Sequence, residues 1–200
     1  MFGWFKRFRL RGLINRAFFA ADRGDYEEAM GLLEQALKID PNNGHANNEM
    51  GFCLTRTGQP ERAMLFARKA VACEPNNPKF WNSLLGVQFE FIKRLQTKKA
   101  VAEAGRGMME DVERLIRGCP DYAPAYLAKA NVLAMSGAPR EQWEAALTKS
   151  AEAYERTSRM ASGLRATGSR MEQVMSEQIQ GCLALARHWA GLSETQGVKG

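Results

Sequence analysis

Residues 24–43 read GDYEEAMGLLEQALKIDPNN, and residues 58–77 read GQPERAMLFARKAVACEPNN. The second stretch restates the first at an offset of 34 residues. Setting residues 10–43 against 44–77 aligns Phe18 with Phe52, Gly24 with Gly58, Glu27 with Glu61, Ala29 with Ala63, Met30 with Met64 and Ala36 with Ala70. Pro41, Asn42 and Asn43 then fall on Pro75, Asn76 and Asn77. Nine identities at one offset, several at residues that punctuate a chain, mark an internal repeat. In both copies Gly, Ala, Ala and Pro follow one another at spacings of 5, 7 and 5. Gly24 and Gly58 permit a tight turn between paired helices. Ala29, Ala36, Ala63 and Ala70 are small enough for two helices to approach closely. Pro41 and Pro75 end the second helix and redirect the chain.

This repeat resembles the tetratricopeptide repeat family, whose units are about 34 residues long. The resemblance is good over residues 10–77, partial over 78–156 and absent beyond. It implies an all-α fold: a right-handed superhelical stack of antiparallel helix pairs, an α-solenoid, closed by a C-terminal capping helix. One such hairpin cannot bury its apolar face alone, whereas stacked hairpins can.

Working outward, the spacing from Pro75 to Pro120 is 45 residues, 11 more than one period. Residues 78–95, PKFWNSLLGVQFEFIKRL, read as a long first helix with Trp81, Leu84 and Leu85 on its apolar stripe. Residues 99–117 read as a second helix with Ala104, Met108, Val112 and Leu115 facing inward, giving a degenerate third repeat. The extra length lies in these helices or around Gln96-Thr97-Lys98. A fourth repeat follows, because Pro120 to Gly137 repeats the 17-residue spacing of Pro41 to Gly58, and Ala130 takes the small-residue place of Gly51. Its second helix spans 141–156 through Trp143, Ala146, Leu147, Ala153 and Tyr154. Residues 157–169, with Gly163 and Gly168, read as a loop. Ser169 is the expected cap of a last helix carrying Met171, Val174, Met175, Cys182, Leu183, Ala186 and Trp189. The expected organisation is a basic aromatic segment at 1–9 and repeats over 10–156, divided as 10–43, 44–77, 78–120 and 121–156. A loop and capping helix at 157–192 and a frayed tail at 193–200 complete it.

Composition limits the function. At 45% hydrophobic residues the chain can bury a real core, and its 7 Pro and 18 Gly punctuate rather than crowd it. Cys53, Cys73, Cys119 and Cys182 form no Cys-x-x-Cys pair, so buried reduced thiols in a reducing compartment are expected, without a disulfide framework or zinc site. No stretch reaches the roughly 18 apolar residues of a membrane span, and Arg7, Arg9 and Arg11 interrupt any secretory signal. The expected compartment is the cytoplasm, with the inner face of a membrane as a second location. The formal charge is +6, but Lys6, Arg7, Arg9, Arg11 and Arg16 place five cations and no acid in the first 20 residues, leaving +1 for the rest. On a helical wheel Trp4, Phe5, Phe8 and Phe19 gather on one side, with Leu10, Leu13, Ile14 and Ala17 nearly opposite. Three readings of Trp4, Phe5, Lys6, Arg7, Phe8 and Arg9 stand: an ordinary first helix with a solvated basic face, contact with an anionic membrane surface or membrane protein, or docking to a partner. Nucleic acid ranks lowest, because the near-neutral body offers no basic groove.

In the family resembled, the first helix of each pair lines a concave face that holds a segment of another protein. The corresponding positions are Arg11, Asn15 and Phe18 in the first pair; His45, Asn48, Phe52 and Arg56 in the second; and Lys79, Asn82 and Phe89 in the third. Amides suit a peptide backbone, aromatics an apolar anchor and cations an acidic group. Phe18, Phe52 and Phe89 also fit as packing between helices. The carboxylate grip of chaperone-binding members is disfavoured, because the corresponding residues are Ile14, Phe18, Glu49, Lys79 and Ser83, and only the lysine survives. No catalytic motif is present. His45 and His188 read as an exposed groove residue and a helix C-terminal cation, and Glu27-Glu28 and Glu110-Asp111 as solvated surface. No catalytic residue, metal site or cofactor is expected. The expected function is a non-enzymatic adaptor or scaffold, with a membrane-surface assembly or tethering factor as the alternative.

Overall fold

The computed structural model describes the backbone of residues 2–162 and 168–190, with side chains at 4–157 and 177–188. The described residues form helices α1 (Phe2–Asp22), α2 (Tyr26–Ile39), α3 (Gly44–Arg56), α4 (Pro60–Cys73), α5 (Pro78–Ile92), α6 (Lys98–Gly118), α7 (Ala123–Met135), α8 (Arg140–Ser162) and α9 (Gly168–Ala190). No β-strand occurs among them. They belong to two compact units, Met1–Phe91 and Ile92–Gly200.

The turns repeat as the sequence does. Gly24, Gly58 and Gly137 have φ of 87°, 81° and 72°, the left-handed region that a Cβ opposes. Around each, two hydrogen bonds close the preceding helix. Gly24 N–H donates to the Ala21 carbonyl at 3.0 Å and Asp25 N–H to Ala20 at 2.9 Å. Gly58 with Gln59, and Gly137 with Ala138, repeat the pattern onto Thr55 with Leu54 and Ala134 with Leu133. This double closure satisfies carbonyls that a helix end otherwise leaves orphaned.

The proline turns are equally regular. Asn43, Asn77 and Tyr122 donate their N–H to the carbonyls of Asp40, Glu74 and Cys119, three residues back. Pro41, Pro75 and Pro120 thus occupy the second turn position, where a fixed φ is an advantage. Six residues after each proline a side chain donates to the proline carbonyl. Asn47 Nδ2 does so at 3.0 Å, Trp81 Nε1 at 2.7 Å and the Tyr126 hydroxyl at 3.0 Å. Three chemically different residues fill one structural role.

Packing follows from the small residues. Ala17 and Ala20 of α1, Ala29 and Ala36 of α2, Ala46 of α3 and Ala63 and Ala70 of α4 are fully buried, beside Leu33 and Leu54. Side chains this short let helix axes approach to about 8–10 Å. Each fully buried leucine contributes about 1.5–3 kcal/mol relative to exposure. In the second unit Trp143 and Leu147 of α8 pack with Ala130 and Ala134 of α7 and Cys182 of α9. Leu183 and Ala186, half-buried on α9, extend this cluster, so the last helix lies on the α7–α8 pair. The all-α class and the consecutive helix pairing expected from the repeat are present.

Against the 13-, 14- and 34-residue pattern of α3, α4 and their period, α5 is two residues longer, its connection to α6 two longer and α6 seven longer. These account for the 11 extra residues.

Several expectations are corrected. Residues 1–9 are not set apart, because α1 runs without interruption from Phe2. Helix α5 ends at Ile92, three residues early, where the Leu95 N–H closes it onto the Ile92 carbonyl. Ala104 is half-buried, and its neighbour Gly105 faces inward. Tyr154 is 49% exposed rather than core. Residues 157–162 are helical, not loop, and Gly168 begins α9 one residue ahead of the expected Ser169 cap. Not all thiols are buried: Cys73 is exposed, with its Sγ–H donating to the Asn42 carbonyl, and Cys119 is half-buried. Gly163 and the tail from Gly191 lie outside the described residues, as do the side chains of Met171, Val174, Met175 and Trp189.

Candidate functional site

The leading helices of the first unit, α1, α3 and α5, meet along a groove of about 650 Å³. Helix α1 contributes Arg7, Leu10, Arg11, Ile14, Asn15 and Phe18. These recur at three- and four-residue steps, so they form one side of the helix. Helix α3 brings His45, Asn48 and Glu49 from its first turns, just after Asn43, and α5 brings Lys79 and Phe80. Both later helices enter the groove at their N-terminal ends because a proline turn precedes each. Asn43 caps α3 by accepting from the Ala46 N–H at 3.0 Å, and the Asn77 side chain accepts from Lys79 N–H at 3.1 Å.

A second hollow of about 380 Å³ continues from the first and shares Phe18, Asn48 and Glu49 with it. Tyr26, Phe52, Arg56 and Ser83 line its far end. There the Arg56 Nε–H donates to the Tyr26 hydroxyl at 3.0 Å, and Phe52 meets the Tyr26 ring edge-on at 6.2 Å. The guanidinium also sits over that ring, 5.7 Å from its centre.

The floor is apolar, and cations stand over it. Phe80 is buried and packs edge-on against His45 at 5.3 Å. The fit requires Gly44: a Cβ there would lie 2.8 Å from Phe80 Cε2. Arg7, Arg11 and Lys79 are exposed at the margins. Among the described residues Glu49 is the one acid on the larger hollow. Burial pushes its carboxyl above the usual carboxylate range, outweighing the 3.2 Å hydrogen bond from Asn48 Nδ2 and the nearby His45 ring, which pull the other way. The Asn48 Oδ1 is buried on this wall without a hydrogen-bond partner. An unsatisfied buried acceptor costs about 1–3 kcal/mol, which an N–H from an incoming chain or a water removes.

Of the residues expected on the concave face, the structure brings Arg11, Asn15, Phe18, His45, Asn48 and Lys79 to the larger hollow, and Phe52 and Arg56 to the smaller. Phe18 and Phe52 are 53% and 44% exposed, so they are not sealed between helices. Asn82 is exposed and Phe89 half-buried, and neither lines these hollows. Of the N-terminal set, Arg7 stands on the groove wall, while Trp4, Phe5, Lys6, Phe8 and Arg9 are exposed away from it. Leu10, Asn43 and Phe80 also line the groove and were missed, and Ile14 and Glu49, named only where the carboxylate grip is lost, line it too. Leu10 and Ile14 lie on the same helical side as Arg11 and Phe18, so their spacing carried the signal. Phe80 carried none, since the offset of 34 sets it on Ala46, a core position.

His188 is exposed in the last turn of α9. Burial raises the thiols of Cys53 and Cys182 to about 11, with the Glu49 charge adding to the effect at Cys53. Both are protonated at neutral pH and poor nucleophiles. Among the described residues no three His, Cys, Asp or Glu side chains gather as metal ligands, and no helix is long and apolar enough to cross a membrane.

A tetratricopeptide repeat family model matches residues 20–85. Several solved structures share the architecture. A thermophilic tetratricopeptide-repeat protein of Thermus thermophilus aligns with TM-score 0.61 at 20% identity, over 90% of this chain and 97% of its own. YrrB, a tetratricopeptide-repeat protein with an unusual peptide-binding site, aligns with TM-score 0.56 at 19% identity, over 90% and 91%. A mutant O-GlcNAc transferase of Thermobaculum terrenum aligns with TM-score 0.61 at 18% identity over 75% of this chain, which spans only 27% of that protein's length. At these identities the likeness speaks to the fold. The repeat, its glycine and proline turns and the consecutive helix pairing agree with the family model over residues 20–85, and the chain has an all-α tetratricopeptide-repeat fold.

Proposed function

We propose that this protein is a non-enzymatic adaptor that holds an acidic, apolar-anchored segment of a partner protein in the groove of α1, α3 and α5. The observation that carries the reading is the convergence of Arg7, Arg11 and Lys79 on one hollow whose floor is Leu10, Ile14, Phe18 and Phe80. Cations at the rim attract carboxylates and set orientation, while the apolar floor supplies the anchor. Asn15 and Asn48 face the occupant's backbone, and the unpartnered Asn48 Oδ1 accepts an N–H. The tetratricopeptide repeat fold supports a protein partner in general, and the groove's charge supports an acidic one.

The test is selection of the full chain against a random library of short peptides. The expected result is enrichment of sequences that combine Asp or Glu with an aromatic or aliphatic residue. Arg11→Glu/Lys79→Glu should weaken those peptides by roughly tenfold or more, since charge-assisted contacts are each worth about 1.5–3 kcal/mol when desolvated. Enrichment of basic peptides, or indifference to the double reversal, would overturn the reading.

A further inference from the structure

We infer that the outward side of α1 docks on the surface of an anionic lipid bilayer, with the helix lying in the plane of the headgroups. The face adjoins the groove, with Arg7 and Arg11 on the edge they share, while Trp4, Phe5, Phe8, Arg9, Arg16 and Phe19 stand outside the groove and carry the inference. Trp4, Phe8 and Phe19 are 62%, 70% and 62% exposed. Steps of four and eleven residues put them one and three turns apart, so they form a line about 22 Å long. Phe5, 64% exposed, sits beside it, and Trp4 stacks on Phe8 with ring centres 5.8 Å apart. The opposite side of α1 is spent on the core through Leu13, Ala17, Ala20 and Ala21.

What chooses the occupant is charge. Arg9 and Arg16, seven residues apart, border the aromatic line on one flank, and Arg7 and Arg11, four apart, border it on the other. All are exposed, and α1 contains no acid before Asp22. Aromatic rings between two rows of cations match an interface where apolar depth lies beneath a sheet of negative headgroups. A second copy of this helix is a poor occupant, because stacking two such lines sets arginine rows against arginine rows with no carboxylate between them. Nucleic acid is also disfavoured: residues 21–200 carry only +1, so the excess positive charge is concentrated on α1. No described helix is apolar and long enough to cross a membrane, so the contact is peripheral.

The experiment is co-sedimentation of the full chain with phosphatidylcholine vesicles containing about 30% phosphatidylserine or none. Binding should appear only with phosphatidylserine and fall as salt rises from about 0.05 to 0.5 M. Arg9→Gln/Arg16→Gln should weaken it about 25-fold at low salt, at about fivefold per cation. Trp4→Ala/Phe8→Ala/Phe19→Ala should weaken it roughly tenfold or more while leaving the melting curve unchanged, since these rings are outside the core. Brominated lipid should quench a fluorescence component that Trp4→Phe removes, Trp4 being exposed whereas Trp81 and Trp143 are buried, and that Trp189→Phe leaves in place. Equal sedimentation of the triple variant would overturn the inference. So would absence of binding at low salt, lipid-free dimerisation that the triple variant abolishes, or capture of an oligonucleotide in place of vesicles.

Discussion

Glu49 shows how one residue ties the groove to stability. Burial holds its carboxyl above the ordinary range, so the folded chain keeps a proton that the unfolded chain has already released. Stability attributable to this group therefore falls as pH rises through the window between the unfolded and folded values. Glu49→Gln should be more stable than the parent at pH 7, and the difference should shrink toward zero below about pH 4. Urea denaturation across that range would check it; a difference that grows on acidification contradicts the assignment. The same change removes an acid from the larger hollow, so acidic peptides should bind more tightly at pH 7.

At the scale of elements, helices are placed by what lies between them. Gly44 opens α3 against the Phe80 ring of α5, with Cys73 Cβ 3.3 Å from where its own Cβ would be. Gly44→Ala should destabilise the fold by about 1–3 kcal/mol, because a buried ring cannot yield without moving its helix. Gly44→Ala/Phe80→Leu should recover part of that loss, a coupling readable from chemical denaturation. Gly31→Ala is the contrast: it lies mid-α2, nothing stands within 4 Å of the added Cβ, and a gain of about 0.5–1 kcal/mol is expected.

Element boundaries were also where the sequence was least legible. Pro41, Pro75 and Pro120 announce the inter-repeat turns, and Gly24, Gly58 and Gly137 those within pairs, because those residue types best suit the backbone there. Residues 157–162, TSRMAS, contain neither Gly nor Pro and looked loop-like only through their hydroxyls. In the structure Thr157 Oγ1 donates to the carbonyls of Ala153 and Tyr154 at 2.7 and 3.1 Å, which satisfies the hydroxyl inside the helix. The α1 side of the groove was readable from spacing. Phe80 was not, because its role depends on the space left by Gly44 across the hollow, a contact between repeats that periodicity does not encode.

For the whole molecule, the repeat does two things at once. It builds a core from alanines and leucines on the inward sides, and it brings the leading helices of successive pairs to one hollow in the first unit. The chain's charge asymmetry then falls on α1, the helix that both walls this hollow and presents an aromatic line to the outside. The most direct test of the central claim is photo-crosslinking from the groove. A benzophenone side chain placed at Asn15 should give an adduct with an acidic, aromatic-containing peptide. The adduct should disappear in the Arg11→Glu/Lys79→Glu background and be absent when the same group replaces Glu61 on α4. Equal adducts from both positions, or an Asn15 adduct that survives the charge reversal, would contradict a groove built to hold an acidic partner.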